Sequence, residues 1–445
     1  MSQEIQLSEH FTIGKLLRFT IPSIVMMIFS SIYSVIDGIF ISNFVGKTPF
    51  AAINLIMPLL MIFGAIGFMV GTGGSALVSK TLGEGNKLKA NQLFSMLIYL
   101  TIGFGIVLSI AGFILIREIA TWLGAEGDMI KDCVLYARIL LPVLSAYILQ
   151  NVFQAFLVTA GKPKLGLAIT IISGVANIIL DWLFIVVFGW GLTGAAVATA
   201  ISQILGGFVP LIYFLRPNTS LLRLTRGIYD KASLLKACVN GSSEFVSNIS
   251  MSVVAMLYNF QLMKYAGEDG VAAYGVIMYV NFIFLSVFFG YSIGCAPIIG
   301  FNYGANNYNE LRNLFRKSLI SIFIGGILLT ALAESLSLPL SKLFVGYDSK
   351  LLDLTHHGFM LYSLSFLIAG FNTFGSAFFT ALNNGVLSAS ISFLRILVFE
   401  IGAVLVLPLF FGIDGIWLAI VCAEVMTLII SFTFFIVFRH KYHYQ

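Results

Sequence analysis

The run "LGLAITIISGVANIILDWLFIVVF", Leu165 to Phe188, contains 24 residues and one charged side chain, Asp181. About 20 apolar residues are what a helix needs to cross the hydrocarbon core of a bilayer. A carboxylate inside such a run is expensive to keep there. Asn177 lies one helical turn before it, on the same face. The stretch therefore raises two questions: whether the whole chain lives in a membrane, and what an acid does inside it.

Composition answers the first. Of 445 residues, 59% are hydrophobic, 14% aromatic and only 10% charged, against about 25% charged in a water-soluble globule. The mean hydropathy is +0.98. Reading for span-length apolar blocks gives twelve: roughly 20–44, 51–76, 92–116, 133–160, 165–188, 193–215, 238–263, 272–300, 318–338, 355–382, 387–409 and 415–438. The first is polar in its middle and lacks a small-residue cleavage site, so it reads as a span and not a removable signal. The fold class expected is all-α, a polytopic membrane protein of twelve transmembrane helices. The cysteines, Cys133, Cys238, Cys295 and Cys422, stand far apart with no CxxC, which fits four small buried hydrophobes.

An even number of spans puts both termini on one side. The termini and the loops on that side hold 17 of the 25 lysines and arginines; the opposite side holds 7, and Arg395 lies inside a span. Positive-inside bias then makes both termini cytoplasmic. The net charge of +5 is thus a topology signal, with no nucleic-acid partner implied.

The longest basic loop, Arg216–Lys236, falls near the midpoint and invites a search for a repeat. Sliding by 221 residues aligns "TLGEGNKLKANQLF" (Thr81–Phe94) with "NYGANNYNELRNLF" (Asn302–Phe315). At this shift Gly46, Gly73, Gly83, Gly105, Gly191 and Gly194 all land on glycines, where composition alone gives about 2 coincidences. The expected organisation is two pseudo-symmetric six-helix lobes, 1–222 and 223–445, of like orientation. The only "GKT", Gly46–Thr48, lacks the first glycine of a P-loop. No ATP site is expected, and no cofactor, so any transport must draw on an ion gradient.

The polar residues inside the spans then matter most. Asp181 on the fifth span and Asp37 on the first each lie about seven residues, roughly 10 Å, from the outer end. Thr199 on the sixth span is at nearly the same depth. Three helices of one lobe thus bring Asp37, Asn177, Asp181 and Thr199 to one level. Two acids in a poorly solvated pocket repel each other, and burial disfavours their charged form. Asn177 and Thr199 can hydrogen-bond either protonation state. Such a group can carry a proton, or hold Na⁺ at Asp37 and Asp181 through oxygen ligands.

The second lobe does not copy this site: at the 221 shift Asp37 meets Tyr258 and Asp181 meets Gly402, whereas Asn151 does meet Asn372. Its own candidates are Glu244, Asn372, Arg395 and Glu400, ranked second. Arg395 with a nearby glutamate reads as an internal ion pair, and Glu244 lies toward the end of its span, within reach of water. Prolines Pro22, Pro58, Pro142, Pro297 and Pro408 mark expected bends or helix ends.

With these residues in view, the chain resembles the multidrug and toxic compound extrusion (MATE) family, nearest its MepA-like bacterial branch. The likeness rests on "TIPSIVMMIFSSIYSVIDGIFI" (Thr20–Ile41), "ALVSKTLGEGN" (Ala76–Asn86) and "NIILDWLF" with "GLTGAAVATAISQ" (Asn177–Phe184, Gly191–Gln203), in that order. The resemblance implies a secondary antiporter of the bacterial inner membrane, exporting amphipathic, mostly cationic drugs in exchange for H⁺ or Na⁺. It implies a cavity between the lobes and cation coupling in the first, at Asp37, Asn177, Asp181 and Thr199, with Asn151 joining them. Relatives with a second-lobe site use acids on spans seven and ten; here the tenth offers Asn372 and no carboxylate. A monomer is the expected state.

A flippase for a lipid-linked or polysaccharide precursor is the alternative. It would want several cavity Arg or Lys residues for phosphate, where these spans offer Arg395 and the peripheral Arg138. A membrane enzyme would need a catalytic constellation, and none survives inspection.

Overall fold

The computed structural model describes residues 5–444. Backbone amides have no water to bond in a bilayer, so every span must satisfy them internally. The described residues accordingly form helices: α1 Ile13–Val45, α2 Lys47–Gly83, α3 Lys87–Trp122, α4 Asp128–Thr159, α5 Pro163–Val187 and α6 Gly191–Leu215. A continuous stretch, Lys231–Gly304, breaks at Gly267 (φ 64°, ψ −149°) into α7 (231–266) and α8 (268–304). After it come α9 Tyr308–Val345, α10 (Ser349–Ser363 and Phe366–Ala381, bent by 47°), α11 Gly385–Phe411 and α12 Ile413–Tyr442. These are the twelve expected spans, each starting before its apolar block.

The repeat has a structural meaning. Asn86 caps α3 by accepting from the Lys89 amide, and its equivalent at the 221 shift, Asn307, caps α9 by accepting from that of Glu310. Gly46 and Gly267 are the positive-φ turns between α1 and α2 and between α7 and α8. The break of α4 at Leu141–Val143, which contains Pro142, recurs as the bend of α10. Phe94 and Phe214 pack edge to face at 4.9 Å, and their equivalents Phe315 and Phe435 do so at 5.0 Å.

The pseudo-symmetry also governs how the halves meet. A Cβ on Gly83 would overlap the Phe301 carbonyl, and one on Gly304 would overlap the carbonyl of Lys80, the equivalent of Phe301. Gly73 packs against Gly241 just as Gly294 packs against Thr20. Ser79 touches its own equivalent, Gly300, so the axis passes between them. Reciprocal contacts of this kind are what a two-fold axis produces. They form a tight seam of α1, α2, α7 and α8 on the side of the termini. The start of the chain crosses it: Leu7, Phe11, Leu16 and Phe19 sit in the core built by α8 to α12.

Pro22, Pro58 and Pro297 lie inside continuous helices, whereas Pro408 starts a fresh turn at the end of α11. Large apolar side chains such as Phe104, Val107, Ile110 and Ile114 cover the outer face of α3. This is the lipid-facing surface expected of a membrane helix.

Candidate functional site

Gly174 is why α1 and α5 can lie close: a Cβ there would come within 2.5 Å of the Phe29 ring and 2.9 Å of that of Tyr33. One turn beyond Tyr33 on α1 is Asp37, and two turns beyond Gly174 on α5 is Asp181. Their carboxyls lie within hydrogen-bonding reach of each other. Asp181 is fully buried and Asn177, one turn below it, nearly so. Thr199 comes from α6, and Tyr136 of α4 interacts with it and with both acids.

Most of these groups have no partner of their own. Asp37 Oδ1, both carboxyl oxygens of Asp181, Asn177 Nδ2, Thr199 Oγ1 and the Tyr136 hydroxyl are buried with no ordinary hydrogen bond. Native interiors rarely leave polar atoms so. Four helices thus contribute unpartnered polar atoms to this one lobe. Asn151 interacts with Tyr147, which in turn lies near Tyr33, itself near Asp37.

Between the halves lies a cavity of about 200 Å³. Met27 and Ser31 of α1, Thr72 of α2, Glu244 and Met251 of α7 and Phe282 of α8 contribute to its wall. Glu244, a second-rank candidate from the sequence, is its only charged lining residue among those described. Neither Asp37 nor Asp181 lines it. Helix α1 is shared, showing Met27 and Ser31 to the cavity and Asp37 to α5.

In the second half, Arg395 of α11 pairs with Glu424 of α12, its Nε donating to Oε1 at 2.9 Å. Asn372 of α10 donates to the other oxygen of Glu424 at 2.6 Å. The carboxylate missing from α10 is therefore supplied to Asn372 by α12. Glu400 takes no part in that pair; it is 8% exposed and faces Tyr258.

A family model described as MatE matches residues 22–183 and again 245–405. The chain belongs to the MatE family. It is a polytopic membrane transporter and not an enzyme. The two matched stretches start 223 residues apart, close to the shift read from the glycines. A multidrug export protein MepA of Staphylococcus saprophyticus is 25% identical over 363 residues, 80% of each chain. A protein of the same description from Staphylococcus haemolyticus is 27% identical over 311 residues, 69% of this chain and 68% of its own. Among solved structures, MATE in complex with MaL6 superposes with a TM-score of 0.93 at 21% identity, covering all of both chains. A multidrug resistance MATE family transporter of the MOP superfamily in an outward-facing conformation gives 0.93 at 22%, again over both full chains.

In this MatE chain, sequence reading missed the tyrosines. Tyr33 carried a usable signal, since it precedes Asp37 by one turn. Tyr136 carried none: an aromatic in an apolar helix reads as core, and its placement against the acids comes from tertiary packing.

Proposed function

We propose that the chain is a multidrug exporter of the bacterial cytoplasmic membrane, driving amphipathic cations outward in exchange for an inward ion at Asp37 and Asp181. The carrying observation is the division of labour on α1, whose one face belongs to the cavity and the other to the acid pair. An ion leaving the pair alters how α1 sits against α5, and so alters the cavity wall. The MepA relatives support drug export as the task.

The cavity supports the cargo class. Phe68, Phe282 and Phe289 offer rings for stacking and cation–π contact. Methionines Met27 and Met251 adapt to differing shapes. Glu244 supplies the single countercharge. A wall with no Arg or Lys among the described residues suits a cation and disfavours the phosphate of a flippase cargo.

A proton is the coupling ion we favour, because two buried carboxyls in reach of each other can bond to one another only by sharing one. Na⁺ is the second reading, on the grounds that Asp37, Asp181 and Thr199 all hold unpartnered oxygens. One monovalent ion moving inward at ~150 mV yields about 3.5 kcal/mol, enough for a gradient of a few hundredfold. The working unit is a monomer, with cytoplasmic termini and lobes 1–222 and 223–445 rocking about the glycine seam.

The test is ethidium transport in vesicles reconstituted with the purified protein, imposing pH and Na⁺ gradients separately. Uphill transport should follow the pH gradient alone. Transport driven only by Na⁺ would exchange the ion, and downhill flux only would end the exporter reading.

A further inference from the structure

The interior of the second half holds more acid than base. Arg395 is its one cation among the described residues, and it is already matched. Beyond Glu424, its Nη1 donates to Thr373 Oγ1 at 3.3 Å. Asn372 accepts from the Ser431 hydroxyl at 3.0 Å, which completes the network. Two further carboxyls, Glu244 and Glu400, sit in the field of Arg395 without forming an ion pair to it.

Glu244 opens on the cavity, but Glu400 does not. It ends a π-helical turn, Leu394–Glu400, and is buried there. Tyr258 of α7 lies beside it, 1% exposed, with a buried hydroxyl that makes no ordinary hydrogen bond. Tyr274 of α8 stacks on Tyr258 at 4.8 Å, and Tyr362 of α10 flanks the same group. The groups facing Glu400 are thus Tyr258 from α7, Tyr274 from α8, Tyr362 from α10, Arg395 from its own helix and Glu424 from α12. None is a lysine or histidine. The pseudo-symmetry adds a second observation. Tyr258 stands where the first half has Asp37, and Glu400 lies two residues before Gly402, the equivalent of Asp181.

We propose that Glu400 is a second proton-binding site, built on Tyr258 in the half that lacks the acid pair and linked to the cavity through Arg395. A lone ionised carboxylate whose only cation is already engaged is strongly disfavoured in a bilayer. Taking a proton from water, Glu400 becomes neutral, and the Tyr258 hydroxyl, both donor and acceptor, can bond it in either state. The link to cargo is electrostatic. Arg395 bonds Thr373, which lines the cavity together with Glu244. A cation docking at Glu244 cancels that negative charge, so the field of Arg395 on Glu400 is less opposed and the proton leaves. Cargo on, proton off is the exchange an antiporter needs. This step extends the exporter reading and rests on it only for the cargo.

The test counts protons released when ethidium binds the purified full-length protein in weakly buffered detergent. A pH-difference infrared spectrum follows the stretch of protonated carboxyls. Glu400→Gln should release one proton fewer per bound ethidium and lose one titrating carboxyl band; Asp37→Asn should keep that band. Tyr258→Phe should shift its titration midpoint, and Glu400→Asp should restore it. A full proton count in Glu400→Gln, or a Glu400 band that never titrates, overturns the proposal. If Glu400→Gln fails to fold, an unshifted band in Tyr258→Phe overturns it instead. Loss of uphill transport in Asp37→Asn with Glu400→Gln indistinguishable from wild type would leave the exporter reading standing and remove only this site.

Discussion

Asp37 of α1 and Asp181 of α5 face each other within hydrogen-bonding reach, and among the described residues no basic side chain pairs with either. Nothing in the fold needs two acids there. Asp37→Asn and Asp181→Asn each keep the shape of the side chain and remove the exchangeable proton. Each should lower gradient-driven ethidium transport at least tenfold while the protein still inserts and purifies normally. Transport at the wild-type rate in either variant would remove the pair from the mechanism.

Gly174 sets the approach of α1 to α5, so it should be intolerant of side chains. Gly174→Leu drives a branched side chain into Phe29 and Tyr33. Overpacking of this kind costs about 1–3 kcal/mol. A lower melting temperature together with transport loss as deep as in Asp37→Asn is expected. Gly174→Ala should be milder, because ring movement of a few tenths of an ångström relieves part of the clash. Equal effects of the two substitutions would contradict this account of the helix pair.

The seam makes a different demand. At Gly83 and Gly304 the obstacle is a backbone carbonyl, which cannot swing aside. Gly83→Val and Gly304→Val should therefore each open the side bearing the termini. Thiol labelling of a cysteine placed at Ser79, on the axis, reads this directly. Labelling from that side should rise several-fold in both variants and by similar amounts, because the two glycines are equivalent. A response in one alone would mean the symmetry does not extend to the seam.

The spans were legible because bilayer physics leaves a strong mark in twelve apolar blocks. The repeat was legible through glycines, since Gly83 and Gly304 have one steric reason to exist and it recurs. Asp37 and Asp181 could be paired by depth. Depth, however, says nothing about azimuth. Glu244 could only be ranked second, since depth could not show that it faces the cavity, and the partner of Arg395, Glu424, came from a helix that spacing could not rank. Tyr136 and Tyr258 were invisible for a related reason. Their hydroxyls matter only through what tertiary packing brings opposite them.

Arg395 and Glu424 should behave as a pair. Arg395→Leu leaves Glu424 charged and half-abandoned in the membrane interior, and breaking a buried pair costs about 3–5 kcal/mol. Glu424→Gln alone releases Arg395 to the nearest remaining acids, Glu244 and Glu400, and should be milder. The double variant Arg395→Leu with Glu424→Gln removes both charges and should recover much of the stability lost in Arg395→Leu. Thermal unfolding of all three in one detergent gives the coupling energy by a double-mutant cycle. Additive losses would show that Arg395 is held by Glu244 or Glu400 in solution, and the closed network around Asn372 would have to be abandoned.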